Sequence, residues 1–168
     1  MKKLMIAVFA LALASPVMAT VGVDFGVNWY KVNYTDNLGD HLMGQGQNMT
    51  VSWGMDDLTV GVYMENDVLS DSNGNSYPAD LIAIQITKGI VKNVSVGLNL
   101  GQGNQNWISG PIGFTDVFAS VVVLSGAGDK ISGNVKATVA DRFSREVYNG
   151  WDYDFGGIVV NLSVGLSF

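Results

Sequence analysis

Residues 161–168, NLSVGLSF, decide the fold of this chain of 168 residues. Apolar side chains occupy every second position up to the last residue, and Asn, Ser and Gly occupy the positions between them. Alternation with a period of two predicts a β-strand that has one apolar and one polar face. Free chain ends normally fray. We therefore expect this strand to be paired along its whole length.

The same alternation recurs in seven earlier segments, and no segment has the periodicity of a helix. The first is residues 21–29, where Val, Phe and Trp alternate with Gly, Asp and Asn. The others are residues 49–55, 58–64, 82–86, 94–100, 117–123 and 131–139, and the eighth strand is predicted over residues 155–168. No domain boundary is evident.

The composition indicates which face meets water. Charged residues make up 14% of the chain, against about 25% in a typical soluble domain. The polar face consists mainly of Gly, Ser, Asn and Thr, which suits a narrow lumen, and the apolar face is continuous, which suits contact with lipid. Every backbone group in hydrocarbon must be paired, so such a sheet must close, with the last strand against the first.

The connections between strands alternate in length. About a dozen residues follow the first strand, whereas only Asp56 and Asp57 separate the second from the third, and this alternation continues to the long segment before the last strand. An even meander with long outer loops and short periplasmic turns has this rhythm. The sequence thus predicts an all-β fold, an eight-stranded antiparallel up-and-down transmembrane β-barrel.

The N-terminus has the layout of a secretory signal peptide. Two lysines precede an apolar run over residues 4–14, which is too short to span a bilayer as a helix, and small residues lead to Ala19. We expect cleavage after Ala19, with residues 1–19 as signal peptide and residues 20–168 as barrel domain. Loss of Lys2 and Lys3 changes the net charge from −6 to −8 (−6 minus 2). This charge argues against nucleic-acid binding, and the absence of cysteine excludes disulfides and thiolate metal sites.

At this point the chain resembles the small eight-stranded bacterial outer-membrane barrels of the OmpA/OmpX size class. In that family the terminal strand carries an assembly signal, and the matching residues here are Val160, Leu162, Val164, Leu166 and Phe168. The resemblance implies location in the outer membrane of a Gram-negative cell and recognition by the barrel assembly machinery. Outer-membrane lipids and lipopolysaccharide are the expected surroundings, and we expect a monomer.

Aromatic residues are candidates for the membrane interfaces. Trp29 and Trp53 lie on the apolar face, late in strands of opposite direction, so we predict that they and Phe168 form interfacial girdles. The pattern inverts after Trp29, where Tyr30 and Val32 take the polar positions. A β-bulge, or a strand that rises above the membrane, would explain this inversion.

Charged residues on the polar face are candidates for a site in the lumen. Lys136 faces inward on the predicted seventh strand, and Asp116, Glu65 and Asp24 also face inward. Because an unpaired buried charge is costly, we predict that Lys136 pairs with Asp116 or Glu65. This pair could hold a plugged barrel together or act as a gate in a narrow lumen.

No motif predicts a catalytic residue, a metal site or a cofactor. His41, Asp71 and Ser72 are the residue types of a hydrolytic triad, and the lipid A palmitoyltransferase is a barrel with such residues in its outer loops. That enzyme family holds an acyl chain in an apolar lumen, whereas this lumen is predicted to be polar. The segment DSNGNS lacks the closing glutamate of a calcium loop, and GQGNQN lacks the third glycine of a dinucleotide motif.

The sequence therefore favours a non-enzymatic outer-membrane barrel with a structural or surface-contact role. The contact would be made through its outer loops, which carry Trp107 and the segment YNGWDYDF at residues 148–155. A narrow pore for water or small solutes is the main alternative, because many lumen positions are Gly or Ser. A lipid A-modifying enzyme is the third.

Overall fold

The computed structural model describes residues 20–35, 41–55, 57–105, 111–128, 130–148 and 151–168. The predicted signal peptide with its cleavage after Ala19, and the loop residue Trp107, lie outside these residues. Ten strands are formed: β1 (Thr20–Thr35), β2 (His41–Met55), β3 (Leu58–Ser70), β4 (Ser76–Val91), β5 (Val94–Gln105), β6 (Ile112–Ala127), β7 (Ser132–Phe143), β8 (Arg145–Tyr148), β9 (Trp151–Asp154) and β10 (Gly157–Ser167).

Eight of these strands close into an antiparallel barrel in the order β1-β10-β7-β6-β5-β4-β3-β2. The predicted fold class is thereby confirmed. The remaining two strands, β8 and β9, form a hairpin inserted between β7 and β10. No helix in the described part of the chain is long and apolar enough to cross a membrane.

Closure is made by the terminal strand quoted above. β10 pairs with β1 without interruption from Ser167 opposite Gly22 to Gly157 opposite Val32. Beyond the end of β10, the backbones of Phe168 and Val21 exchange two hydrogen bonds, of 2.9 and 3.3 Å. The pairing thus extends to the last residue of the chain, and this seam of the sheet has no open edge.

The two faces of the strands point as predicted. On β6, Ser120 is 8% exposed and faces the lumen, whereas its neighbour Val121 is 43% exposed and faces outward. Apolar side chains form a continuous apolar belt around the outside of the barrel. Exposed members of this belt include Phe25, Val27, Trp29, Val60, Ile84, Ile86, Leu98, Leu100, Val117, Val121, Val139, Val160, Leu162 and Val164.

Above the belt, toward the end of the barrel that bears the long loops, the polarity of the two faces inverts. Tyr30 and Val32 continue the inward face of β1 and are buried, while Lys31 and Asn33 face outward. The pairing with β10 is continuous through Val32, whereas the pairing with β2 shifts register between Lys31 and Thr35, so an irregularity of the expected kind is present on that side. β1 thus leaves the belt with an apolar inward face and a polar outward face, although Met43, Val68 and Phe143 stay exposed on the outside of other strands there.

Candidate functional site

The centre of the lumen holds an ion cluster around Arg142, which faces inward near the loop end of β7. Its two terminal nitrogens donate to Glu65 on β3 at 2.9 Å (Nη1–Oε1) and 2.8 Å (Nη2–Oε2). Its Nε donates to Asp116 on the adjacent strand β6 at 2.8 Å (Nε–Oδ1). The side chain is 3% exposed. Two carboxylates thus satisfy the guanidinium in the planar geometry that arginine favours.

This cluster corrects the predicted lumen ion pair. Lys136 does not pair with Asp116 or Glu65, because Arg142 takes both carboxylates. Lys136 instead donates to Asp24 on β1, with 2.7 Å between Nζ and Oδ2. Arg142 was missed because the predicted seventh strand ended at residue 139. Continuing the inward positions by steps of two from Lys136 would have reached it.

A layer of hydrogen-bonded side chains connects the cluster to the walls. The amides of Asn48 and Asn161 donate to Asn28 at 2.7 and 2.8 Å, and Asn28 donates to the Tyr63 hydroxyl at 3.1 Å. Tyr63 in turn donates to Glu65. On the other side, Gln85 donates to Asn99 and Asn99 to Asp116, at 3.1 and 3.0 Å. The cluster and this layer thus link side chains from all eight barrel strands across the lumen.

The loop side of the cluster is closed by aromatic and aliphatic side chains. The Arg142 guanidinium lies 4.9 Å from the centre of the Phe114 ring and 5.5 Å from that of Tyr30, as in cation–π contacts. An apolar plug continues this packing. Its buried members on the loop side are Tyr30, Val32, Leu42, Leu69, Ile112 and Phe155, and the same apolar cluster continues with Phe118, Ala140 and Val159 on the turn side of Arg142.

A small polar chamber lies on the other side of the cluster, toward the short turns. Its cavity of about 70 Å³ is lined by Asp24, Lys136, Thr50, Ser95 and Ser163, among other residues. This volume has room for several water molecules and is polar enough to hold them. Within the described residues, the lumen therefore has a polar lower chamber and a largely apolar upper plug, which retains a cavity of about 20 Å³ beside Tyr30, Phe114 and Arg142.

One carboxylate of the lumen is left without a donor. Asp67 is 3% exposed, and neither of its side-chain oxygens has a hydrogen-bond partner within the described residues. The Asp67 carboxylate lies so close to Gly46 that a Cβ atom at Gly46 would overlap it. Together with Glu65 and Asp116 it brings three carboxylates near a single guanidinium. No group of three or more described His, Cys, Asp or Glu residues has a geometry suited to a metal ion.

The two tryptophans lie toward opposite ends of the apolar belt. Trp29 is 49% exposed and pairs with Gln45 on β2, whereas Trp53 pairs with Val21 on β1. These pairs are eight residues apart along β1, or about 26 Å at the usual rise of a strand. Because barrel strands are tilted by roughly 35–45°, this length corresponds to about 20 Å across the membrane, somewhat less than the height of a membrane barrel's apolar band, which is about 25 Å. Phe168 is also exposed on the outside. Their interfacial role stays a prediction.

His41 and Asp71, two of the residue types of the hydrolytic triad, have other hydrogen-bond partners. The Nδ1 of His41 lies 2.8 Å from the Val32 carbonyl oxygen. The Asp71 carboxylate accepts hydrogen bonds from the Asn73 and Asn75 backbones, the Asn75 amide and the Tyr77 hydroxyl. The hydrogen bonds from Asn75, first among these, lower the pKa of Asp71. Asp71 therefore shapes the turn between β3 and β4.

Comparison with known proteins supports the fold class and goes no further. No family model matches the chain, and no curated protein is similar to it in sequence. The crystal structure of Neisserial surface protein A (NspA) is similar, with a TM-score of 0.53 and 11% identity, over 88% of this chain and 95% of that chain. The outer-membrane protein AlkL gives a TM-score of 0.46 and 9% identity, over 89% of each chain. The chain has the fold of the small eight-stranded outer-membrane barrels.

Proposed function

We propose that this protein is a non-enzymatic barrel of the outer membrane that anchors its loops at the cell surface and keeps its lumen closed. The observation that carries the proposal is the position of Arg142. Its side chain crosses the lumen from β7 to Glu65 on β3, and these strands are four apart in an eight-stranded ring. A charged group held by two carboxylates at this point leaves no continuous polar path through the barrel.

The apolar plug supports the same conclusion. A pore for water or small solutes needs polar groups along its whole length, and the plug offers aliphatic and aromatic side chains instead. Three of the Ser positions that favoured a pore, Ser95, Ser120 and Ser163, line the lower chamber, whose lining also includes Asp116 of the Arg142 cluster. A structural role for the ion cluster is therefore favoured over a gate.

Location in the outer membrane is supported by the apolar belt, by the terminal strand and by the fold shared with NspA. We propose outer-membrane lipids, lipopolysaccharide and the assembly machinery as its partners. Among the side chains that the structure describes above the belt, Asp71, Asp80, Asp141 and Asp154 are exposed or half-buried, against the single exposed cation Lys31. Contacts of this surface are expected to favour cationic or hydroxyl-bearing groups over bare phosphates.

Conductance of the pure protein in planar bilayers tests the closed lumen. We expect no channel steps above the bare bilayer, because the plug and the ion cluster both block the path. Steady ion currents from the wild-type protein would contradict the proposal and favour the pore. The enzymatic alternative has a separate test, since overproduction in a Gram-negative host should leave the mass of lipid A unchanged. An added acyl group on lipid A would contradict the non-enzymatic role.

A further inference from the structure

A row of polar side chains crosses the outer wall at the upper edge of the apolar belt. Gln47 on β2 is paired with Asn66 on β3, Asn66 with Asp80 on β4, and Asp80 with Asn104 on β5. All four side chains are exposed on the outside of the barrel. We call these four residues the amide row. At the usual spacing of strands it is about 14 Å long.

The amide row starts at the belt and climbs away from it. Gln47 is flanked on β1 by the belt residue Val27, whereas Asn104 lies one residue from the end of β5. Strands of a barrel are tilted by roughly 35–45°, so a row at right angles to them runs obliquely toward the loops. Two residues below the row, on the same outward face, the apolar residues Met49, Met64 and Ile82 lie under its first three members, and the polar residue Gln102 lies under Asn104.

The chemistry of the row selects one class of ligand. Amides both donate and accept hydrogen bonds, and a carboxylate accepts them, which together match the hydroxyl groups of a sugar. The Asn66 amide donates a hydrogen bond to the Asp80 carboxylate, which holds these two side chains of the row in position. It contains no Lys or Arg, and the charge of Asp80 would repel a phosphate. Apolar side chains directly below suit acyl chains.

The opposite side of the barrel differs at the corresponding place. There Asp141 on β7 is paired with Ile158 on β10, and Ile158 with Lys31 on β1. Opposite charges flank an apolar residue in this row, and it has no amide. Higher on the same side, Asn33 donates to Asp154 at 3.2 Å, so amides occur on both walls, but the four members of the amide row are directly paired from strand to strand.

We propose that the amide row on β2–β5 binds the neutral sugar headgroup of a glycolipid in the outer leaflet, with its acyl chains against Met49, Met64 and Ile82. This inference deepens the proposed contact with outer-membrane lipids. It does not depend on whether the lumen conducts.

Native mass spectrometry of the folded protein in a detergent without sugar tests the proposal. The probes are a dihexosyl diacylglycerol and, as a lipid without hydroxyl groups in its headgroup, phosphatidylcholine with the same acyl chains. We expect the wild type to retain the glycolipid preferentially. The variant Gln47→Leu/Asn66→Leu/Asn104→Leu should lower this preference about tenfold, as the loss of two or three hydrogen bonds predicts. The control Lys31→Leu/Asp141→Leu should retain it.

Three outcomes would overturn the proposal: equal retention of the two lipids by the wild type, an unchanged preference in the triple variant, or an equal loss in the control. Heat-modifiable migration identifies folded protein before each measurement. The single variant Asn66→Leu, with a smaller expected loss, gives the same test if the triple variant does not fold. Asp80→Asn should keep the preference, because an amide also bonds hydroxyls. Loss of the preference in this variant would be a fourth result against the proposal, because retention would then depend on the negative charge of Asp80 and not on hydrogen bonds to hydroxyl groups. Conductance tests the closed lumen and lipid retention tests the glycolipid site, so either proposal can fail without the other.

Discussion

Arg142 and Glu65 connect opposite walls of the barrel. They lie on β7 and β3, which are four strands apart around the ring, and two parallel hydrogen bonds of 2.9 and 2.8 Å join them. A contact along the wall would brace only two neighbouring strands. A contact across the diameter couples the two halves of the sheet, so its loss should lower the stability of the whole barrel.

The first prediction concerns this coupling. Arg142→Met should lower the free energy of unfolding by about 3–5 kcal/mol, because it leaves two buried carboxylates without their cation. A double-mutant cycle with Glu65→Gln, measured by reversible urea unfolding in lipid vesicles, should show that the two effects are not additive. Lys136→Met with Asp24→Asn should couple more weakly, since that pair is more exposed. Coupling of Lys136 to Asp116 instead would contradict the arrangement described.

Removing the charge of Asp67 should affect the stability of the barrel in a different direction from removing the charge of Glu65. It adds a third carboxylate beside one guanidinium and has no donor among the described residues. Asp67→Asn is therefore expected to leave stability unchanged or to raise it, whereas Glu65→Gln should lower it. The same urea titrations compare the two variants. A large destabilisation by Asp67→Asn would reveal a partner for this carboxylate, such as an ordered water or an ion.

The apolar belt predicts where a charge is costly. Leu98→Arg or Val121→Arg should destabilise the folded barrel in lipid by about 2–4 kcal/mol, as expected for arginine near the middle of the bilayer. Asp80→Arg, on the outside but above the belt, should cost about 0–1 kcal/mol. If all three variants have equal stability in vesicles, the belt does not face lipid.

Close packing of an aromatic ring on a glycine predicts a local effect. A Cβ at Gly44 would overlap the ring of Tyr30 in the plug. Gly44→Ala should therefore cost about 1–3 kcal/mol by overpacking, and Tyr30→Leu in the same chain should relieve part of this cost. Gly113→Ala is the matched control, because a Cβ there meets nothing within 4 Å. Equal stabilities of the two alanine variants would argue against the packing described.

The turn between β3 and β4 should depend on pH through Asp71. Because its pKa is lowered in the folded turn, Asp71 stabilises the turn at pH values above its ordinary pKa of about 3.9. This contribution is lost as the pH falls through the lower, folded pKa. The amide NMR signals of Asn73 and Asn75 should shift with a midpoint below about 3.9. They should not titrate in Asp71→Asn. A midpoint above the ordinary value would contradict the hydrogen bonding of the turn.

The sequence by itself determined the class of fold and the direction of the side chains. Alternation with a period of two assigns each residue to one of the two faces of a strand. Because the outer surface of a membrane barrel meets lipid, the apolar face must point outward. For this reason Ser120 and Val121 lie as predicted on opposite sides of β6. The terminal strand likewise predicted its own closure, since every backbone group in a bilayer needs a partner.

Only the tertiary structure decided which charges meet in the lumen. Alternation states that Lys136, Asp24, Glu65 and Asp116 face inward, but the partner across a barrel depends on the stagger of strands distant in sequence. The inversion above Trp29 is a second example. The pattern alone could not distinguish a bulge from a strand that leaves the membrane, because both exchange polar and apolar positions. The structure contains elements of both: β1 keeps its register with β10 through Val32, and its register with β2 shifts between Lys31 and Thr35.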